Sequence, residues 1–166
     1  MNSEMKIAID CDGVAADLKK IIFDHVKSKG INIEDLNFNG VNPGADYPEI
    51  GYNLAFYIRE GRFDRGILIC GTGLGMAMIA NKVEGVYAGV CHDAYSAERL
   101  RKSNDAQVLT MGALVIGPEH AKVVVDAWLE SEFTGGRSQP KVNKMREIEK
   151  ISFGRSADAE NNQRSR

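Results

Sequence analysis

Short apolar runs alternate along this chain with longer segments in which apolar residues recur every three or four positions. Runs of the first kind predict buried β-strands at residues 6–10, 31–36, 66–69, 85–90 and 107–111. Segments of the second kind predict helices at residues 14–29, 49–61, 76–82, 93–102, 118–130 and 139–151. Strands that alternate with helices are typical of βαβ units. We therefore expect an α/β fold, with a five-stranded, mostly parallel sheet covered by helices on both faces.

A length of 166 residues and an ordinary composition favour a single folded domain, which we place at residues 1–152. Residues 153–166 are polar and nearly devoid of apolar side chains, so we expect a disordered tail there. A net charge of −2 argues against broad nucleic-acid binding, which needs a basic surface. No apolar run approaches the roughly 20 residues of a membrane span, and no secretory signal is visible. A cytoplasmic location is therefore expected.

The most informative stretch joins the third predicted strand to a glycine-rich loop. The apolar run ends on Cys70, and Gly71, Gly73 and Gly75 follow before a helix begins. Main-chain N–H groups of such a loop can bind an anion, and the start of the helix lowers the pKa of a neighbouring thiol. The same position also suits a buried cysteine that acts as a small hydrophobic residue. The glycine spacing matches neither a dinucleotide-binding fingerprint nor a Walker loop.

Polar clusters follow the predicted strands at the points where ligands of such folds usually bind. In open parallel sheets, ligands gather at the carboxyl ends of the strands. Residues 10–13, 70–75 and 91–93 each follow a predicted strand. We place residues 103–105, which come just before the fifth strand, on the same rim.

Residues 10–14 are similar to the first motif of the haloacid-dehalogenase phosphatases. That resemblance implies a magnesium-dependent phosphatase with Asp10 as nucleophile and Asp12 as acid/base. No Gly-Asp or Asp-Asp pair follows to complete such a site. A role for Asp12 in contacting ligand hydroxyls or capping the next helix explains the motif as well. The three histidines and three cysteines lack metal-ligand spacing, so no metal site is predicted.

Several ordered motifs make the chain similar to the family of ribose-5-phosphate isomerase B and galactose-6-phosphate isomerase. The matching runs are residues 5–12, 46–48, 65–82, 91–97, 104–106 and 135–137. The resemblance implies a Rossmann-like three-layer sandwich and an aldose–ketose isomerase of a small sugar phosphate that uses no cofactor. It also implies a homodimer, in some members paired into a tetramer, whose active site lies across the subunit interface.

The same resemblance implies roles for individual positions. Cys70 matches the base that moves a proton between C1 and C2 of the sugar, and Thr72 matches the hydroxyl of its loop. The matched substrate-binding positions are Asp12, Tyr47, Gly71, Gly73, Gly75, Asn104, Arg137 and Lys141. In the family, the glycine loop stabilises an anion, the asparagine contacts the enediolate, and the arginine binds phosphate across the dimer. From spacing alone, Arg137 and Lys141 form either an anion clamp or part of a solvated face.

The family pattern is broken at several functional positions. Gly13 and Ser103 replace two family histidines, Leu114 and Lys141 replace arginines, and Ser138 replaces a further histidine. Loss of the ring-opening imidazole favours an open-chain substrate at least as much as ribose 5-phosphate, because a tetrose 4-phosphate cannot close a five-membered ring. Residues 97–111 are also similar to the erythrulose-phosphate isomerase branch. The altered phosphate clamp leaves an unphosphorylated sugar, or a catalytically silent homologue, as alternatives.

Overall fold

Strands and helices alternate along residues 5–164, which are the residues that the computed structural model of this chain describes. Strands β1 to β5 span Lys6–Cys11, Asn32–Asp35, Arg65–Cys70, Ala88–Val90 and Val108–Gly112. Helices α1 to α7 span Ala16–Ser28, Phe38–Val41, Tyr47–Arg59, Leu74–Ala80, Ala94–Lys102, Pro118–Leu129 and Gln139–Arg164. Short 3₁₀ turns at Gly13–Ala15 and Gly136–Ser138 lead into α1 and α7.

The five strands form one parallel sheet in the order β2-β1-β3-β5-β4. In the central strands, Cys11 pairs with Ile69, and Cys70 pairs with Gly112. The carboxyl ends of β1, β3 and β5 therefore meet on one rim of the sheet. The predicted α/β fold, a Rossmann-like three-layer sandwich, is confirmed.

Two apolar cores cover the two faces of the sheet, because successive strand residues point to opposite sides. On one face, Ile7, Ile9, Ile67 and Ile69 pack with buried residues of α1 and α6, among them Trp128. On the other face, buried residues of α3 and α4 pack with alternate strand residues, namely Ala8, Leu68 and Val108. Both cores hold the central strands rigidly, which fixes the rim where those strands end.

Several element boundaries differ from the predicted ones for local reasons. Helix α3 begins at Tyr47 rather than residue 49, because Asp46 and Glu49 form a capping box and Pro48 occupies the first turn. Strand β4 begins at Ala88 rather than residue 85, where Gly85 has a left-handed φ of +82°. The short helix α2 lies within a segment that the sequence predicts to be loop.

Helix α7 runs from Gln139 to Arg164, whereas its end is predicted near residue 151. Side chains of the helix hold it to the loops that precede β4 and β5. Arg146 contacts Asp105 at 2.7 Å, and Glu149 accepts hydrogen bonds from the Tyr87 hydroxyl and the Gly85 N–H. Residues 165 and 166 lie outside the described range, and the division into a domain and a disordered tail stays a prediction. Within the described range, no helix is long and apolar enough to cross a bilayer.

Candidate active site

Cys70 ends the central strand β3, and the loop that follows turns back over its sulfur. The main-chain N–H of Gly73 donates a hydrogen bond to Cys70 Sγ across 3.0 Å. Such a donor stabilises a thiolate relative to a thiol, because it favours the charged form. The residue is 5% exposed, so few water molecules compete with this contact. The thiol and the glycine loop are therefore adjacent in space.

The glycine loop packs directly on the carboxyl end of β5. Gly73 has a φ of +79°, and a Cβ atom there would lie 2.8 Å from the carbonyl carbon of Met111. A Cβ atom at Gly112 would lie 2.6 Å from the Cα atom of Thr72. Both positions therefore need glycine for close backbone approach. The exposed Thr72 hydroxyl accepts a hydrogen bond from the Leu74 N–H at 3.3 Å.

Apolar side chains surround the exposed side of this loop. The ring of Tyr47, at the start of α3, lies 2.5 Å from where a Cβ atom of Gly75 would be. The corresponding position at Gly71 is 3.4 Å from Leu114 Cδ1 and 3.7 Å from Val14 Cγ2. All three of these side chains are exposed to solvent. The structure thus brings Tyr47 to the loop and places Leu114 beside it.

Asp12 follows β1 on the same rim. Its Oδ1 accepts a hydrogen bond from the Val14 N–H at 3.2 Å, so it caps the 3₁₀ turn before α1. Partial burial raises the pKa of the Asp12 carboxyl, against the opposing effect of its backbone hydrogen bonds. Together with Lys19 and Asn37, Asp12 lines a polar cavity of about 380 Å³. The carboxylate is therefore positioned to contact a polar ligand at the rim.

Asp10 has a structural environment that does not suit a phosphatase nucleophile. Its Oδ1 accepts from the Cys11 N–H at 2.8 Å, and its Oδ2 accepts from the Phe38 N–H at 3.0 Å. The residue is 1% exposed, and burial raises the pKa of its carboxyl. Among the described residues, no group of three or more acidic, histidine or cysteine side chains could hold a metal ion. The carboxyl group of Asp10 therefore connects β1 to the start of α2 through its two hydrogen bonds.

The thiols of Cys11 and Cys91 are not suited to act as a base. Burial raises the pKa of Cys11 and of Cys91 to about 12, so both stay protonated at neutral pH. Cys11 and Cys91 both lie in the apolar core on the α1 and α6 face. Neither thiol is therefore a candidate base.

His92 supports the rim between β4 and β5. Its Nε2 accepts a hydrogen bond from the Gly112 N–H at 2.9 Å, which requires a neutral ring with its proton on Nδ1. The ring of His120 contacts the His92 carbonyl oxygen at 3.0 Å. The imidazole of His92 is therefore occupied in fixing the end of β5.

A second cavity, of about 410 Å³, lies between α5 and the start of α7. Seven polar or aromatic side chains dominate its lining: Tyr95, Arg99, Ser103, Asn104, Arg137, Ser138 and Lys141. Arg137 follows two glycines with left-handed φ angles of +77° and +58°, which turn the chain into α7. The structure therefore brings Asn104, Arg137 and Lys141 together, as a site that is rich in positive charge.

The two groups of predicted site residues lie at opposite ends of the sheet. Gly66 pairs with Val108 and Cys70 pairs with Gly112, and Asn104 precedes Val108 along the chain. At about 3.3 Å per residue, the two rims are about 13 Å apart. The prediction that residues 103–105 share the rim of Cys70 is therefore wrong, because residues before a parallel strand lie at its amino end. We call residues 12, 47 and 70–75 the thiol half, and the lining of the 410 Å³ cavity the cation half.

Two aromatic or charged residues of the cation half, Tyr95 and Arg99, are given no role by the sequence motifs. Tyr95 and Arg99 precede Ser103 by eight and four residues on α5, and all three line the cavity. That spacing places them on one face of the helix. The i, i+4, i+8 pattern of residues 95, 99 and 103, directly before Asn104, was a signal that the sequence alone contained.

The comparisons with known proteins decide the family. The profile of the Ribose/Galactose Isomerase family matches residues 7–145. The chain belongs to this family. It is 50% identical over 141 residues to a D-erythrulose-4-phosphate isomerase of Pectobacterium atrosepticum, covering 85% of this chain and 93% of that protein. It is 51% identical over 145 residues to a ribose-5-P isomerase B of Listeria innocua, covering 87% and 97%.

A solved structure of a family member supports the same conclusion at the level of the fold. Ribose-5-phosphate isomerase B from Mycoplasma genitalium, with bound ribulose-5-phosphate, superposes with a TM-score of 0.83 at 35% identity. The match covers 90% of this chain and 99% of that one. The predicted family and the predicted enzyme class, an aldose–ketose isomerase, are confirmed.

The departures from the family pattern can now be placed in the structure. Leu114 is 78% exposed beside Gly71, on the thiol half. A side chain at Gly13 would meet nothing within 4 Å, so the rim next to Asp12 is open there. Ser103 lines the cation half beside Asn104. Both halves therefore differ from the ribose/galactose isomerase pattern.

Proposed function

We propose that this protein interconverts the aldose and ketose forms of a short sugar phosphate, with Cys70 as the base. The hydrogen bond from the Gly73 N–H to Cys70 Sγ is the observation that carries this proposal. It supplies what a thiolate base needs, because it favours the charged sulfur. Burial raises the pKa of Cys11 and of Cys91 to about 12, which disfavours either of these thiols as the base.

In the proposed reaction, the thiolate removes the proton on the carbon next to the carbonyl group. The electron pair moves into an enediolate, whose negative oxygen needs hydrogen-bond donors. Main-chain N–H groups of the Gly71–Gly75 loop, which lies over the sulfur, would supply them. The thiol then returns the proton to the neighbouring carbon, and the hydroxyl proton moves between the two oxygens. We assign the Thr72 hydroxyl to this second transfer, and the Asn104 side chain to contact with the enediolate. Neither a metal nor a nucleotide takes part.

The changes at Gly13 and Ser103 support a substrate that needs no ring opening. A serine hydroxyl does not replace imidazole as an acid or base near neutral pH. A four-carbon sugar 4-phosphate stays open, because its O4 is blocked by phosphate. The relative from Pectobacterium atrosepticum, named an erythrulose-4-phosphate isomerase, supports the same choice. We therefore favour a tetrose 4-phosphate at least as much as ribose 5-phosphate.

The separation of the two halves supports an active site built from two copies of the chain. Within one chain, Cys70 ends β3 while Asn104 and Arg137 lie near the start of β5. One substrate of four or five carbons does not reach both rims across about 13 Å of sheet. A homodimer that apposes the thiol half of one copy to the cation half of the other would complete the site. Light scattering during size exclusion tests this, and an active monomer would contradict it.

The catalytic proposal is tested with a Cys70→Ser variant and a Cys91→Ser control. We expect the first to lower kcat by about 10²- to 10⁴-fold, because its hydroxyl is a far weaker base. The control makes the same substitution at a buried thiol of the core and should retain activity. Turnover is measured as loss of deuterium from C2 of the aldose, with circular dichroism to check folding.

The substrate is identified with a panel read by the same exchange. The panel holds erythrulose 4-phosphate, followed by exchange at C1 because a ketose has no hydrogen on C2, together with ribose 5-phosphate, allose 6-phosphate and unphosphorylated pentoses, followed at C2. A preference for the four-carbon substrate supports the proposal. Full activity of Cys70→Ser would refute the base assignment, and turnover of unphosphorylated sugars alone would refute the phosphate assignment. No exchange with any sugar would leave a silent homologue. The cytoplasmic location stays a prediction.

A further inference from the structure

Arg99 lies in the wall of the cation half, on the same face of α5 as Tyr95 and Ser103. Its main-chain oxygen accepts the N–H of Ser103 at 2.8 Å, so the arginine lies one helical turn before Ser103, the residue that precedes Asn104. The residues that line this cavity include three cations, Arg99, Arg137 and Lys141, and no carboxylate. A cavity of this composition attracts an anionic group.

The surroundings of Arg99 hold its guanidinium in place and leave a donor unused. The guanidinium carbon lies 5.7 Å from the centre of the Tyr95 ring, within the range of a cation–π contact. One terminal nitrogen pairs with Glu98, which also pairs with Lys102 at 3.3 Å. The Nε atom is buried, and nothing in the described part of the chain accepts its hydrogen bond. The side chain as a whole is 39% exposed, so a ligand in the cavity can reach the guanidinium.

Arginine also supplies the chemistry that Lys141 lacks. A guanidinium binds two oxygens of a phosphate through parallel hydrogen bonds, whereas an ammonium acts as a point charge. Leu114 provides no charge on the thiol half. Without Arg99, the cation half would contain one guanidinium, that of Arg137. A second guanidinium is needed to hold the anion in a fixed orientation.

We propose that Arg99 is a substrate-binding residue that supplies this second guanidinium to the anionic end of the substrate. The inference rests on the proposed function, since it assigns the substrate's charged group to the cation half. It extends that function by naming the residue that compensates for the altered clamp. Any tetrahedral oxyanion carried on the sugar, a phosphate or a sulfonate, has the required oxygens.

The test compares Arg99→Leu with a matched Lys102→Leu control. Both variants remove one positive charge that pairs with Glu98, but only Arg99 lines the cavity. We expect Arg99→Leu to weaken binding of inorganic phosphate, measured by calorimetry, by about 10- to 100-fold. The KM of the phosphorylated substrate should rise by a similar factor, with kcat within about threefold. Lys102→Leu should change neither value.

Further variants separate the possible outcomes. Glu98→Gln removes the same ion pair but keeps the guanidinium, so it should bind phosphate as tightly as the wild type. Equal losses in Arg99→Leu and Lys102→Leu would overturn the inference in favour of a general charge effect. Phosphate binding that is lost in Arg137→Leu but kept in Arg99→Leu would overturn it while leaving the proposed function intact. A wild type that binds phosphate through Arg99 but turns over no sugar would refute the proposed function instead.

Discussion

The Gly73→Ala substitution tests whether the close approach of the glycine loop to β5 holds the loop over the thiol. A Cβ atom at residue 73 would sit at a φ of +79° and 2.8 Å from the Met111 carbonyl carbon. The left-handed conformation costs an L-residue about 1–2 kcal/mol. The clash with fixed backbone adds about 1–3 kcal/mol, as overpacking generally does. We therefore expect a loss of unfolding free energy of about 2–5 kcal/mol.

A matched control isolates the clash from the backbone strain. Gly30 has a similar φ of +76°, but a Cβ atom there would meet nothing within 4 Å. Gly30→Ala should therefore cost only the strain, about 1–2 kcal/mol by urea denaturation. The activity of the two variants should differ more: Gly73→Ala displaces the N–H from Cys70 and should lower kcat by about 10²- to 10³-fold. Equal stability losses, or full activity of Gly73→Ala, would refute the reasoning.

Three further predictions concern the core and the ends of the sheet. The free energy of unfolding should fall as pH rises from about 9 to 12. The folded protein keeps the thiol protons of Cys11 and Cys91 up to a pKa of about 12, whereas the unfolded chain releases them near pH 9. The difference between urea midpoints at pH 8 and 11 should shrink in the double alanine variant, and an unchanged difference would contradict this. Arg65→Met should lower the free energy of unfolding by about 2–3 kcal/mol. The main-chain carbonyl groups of Leu129 and Ser131 lose the arginine donor, whereas that of Trp128 keeps the Ser131 N–H. A loss below about 1 kcal/mol would show that those groups find other donors. Asp105→Asn keeps a residue type that tolerates the φ of +54° but removes a charge shared by Arg101 and Arg146. Urea denaturation should therefore show a loss of unfolding free energy of about 1–2 kcal/mol. An unchanged midpoint would show that these ion pairs do not contribute to stability.

The fold was predictable because its signals are local and repeated. Apolar runs such as Ile67–Ile69 mark strands that are buried on both faces, and the intervening segments have helical spacing. The boundaries were harder, because they depend on single contacts. The capping box of Asp46 and Glu49 was present in the sequence and would have placed the start of α3 correctly. The start of β4 depends on the left-handed turn at Gly85, which competes with the apolar pattern around it.

The thiol half was easier to predict than the cation half. Cys70 and its glycines are contiguous in sequence, so their proximity needed only one strand and one turn. Asn104 and Arg137 come together because the end of α5 and the start of α7 line one cavity, which no local pattern specifies. The position of residues 103–105 could have been predicted from the sequence, because residues that precede a parallel strand lie at its amino end. Arg99 was overlooked because it lies outside the motif that the family shares.

The placement of the two halves at opposite ends of one sheet has a genetic consequence. Under the proposed two-copy arrangement, a chain damaged at Cys70 and a chain damaged at Arg137 each retain the half that the other has lost. Random pairing of equal amounts would regenerate about a quarter of the intact sites, all of them in hybrid molecules. Two inactive alleles would then complement each other in one cell, whereas two lesions within the same half would not.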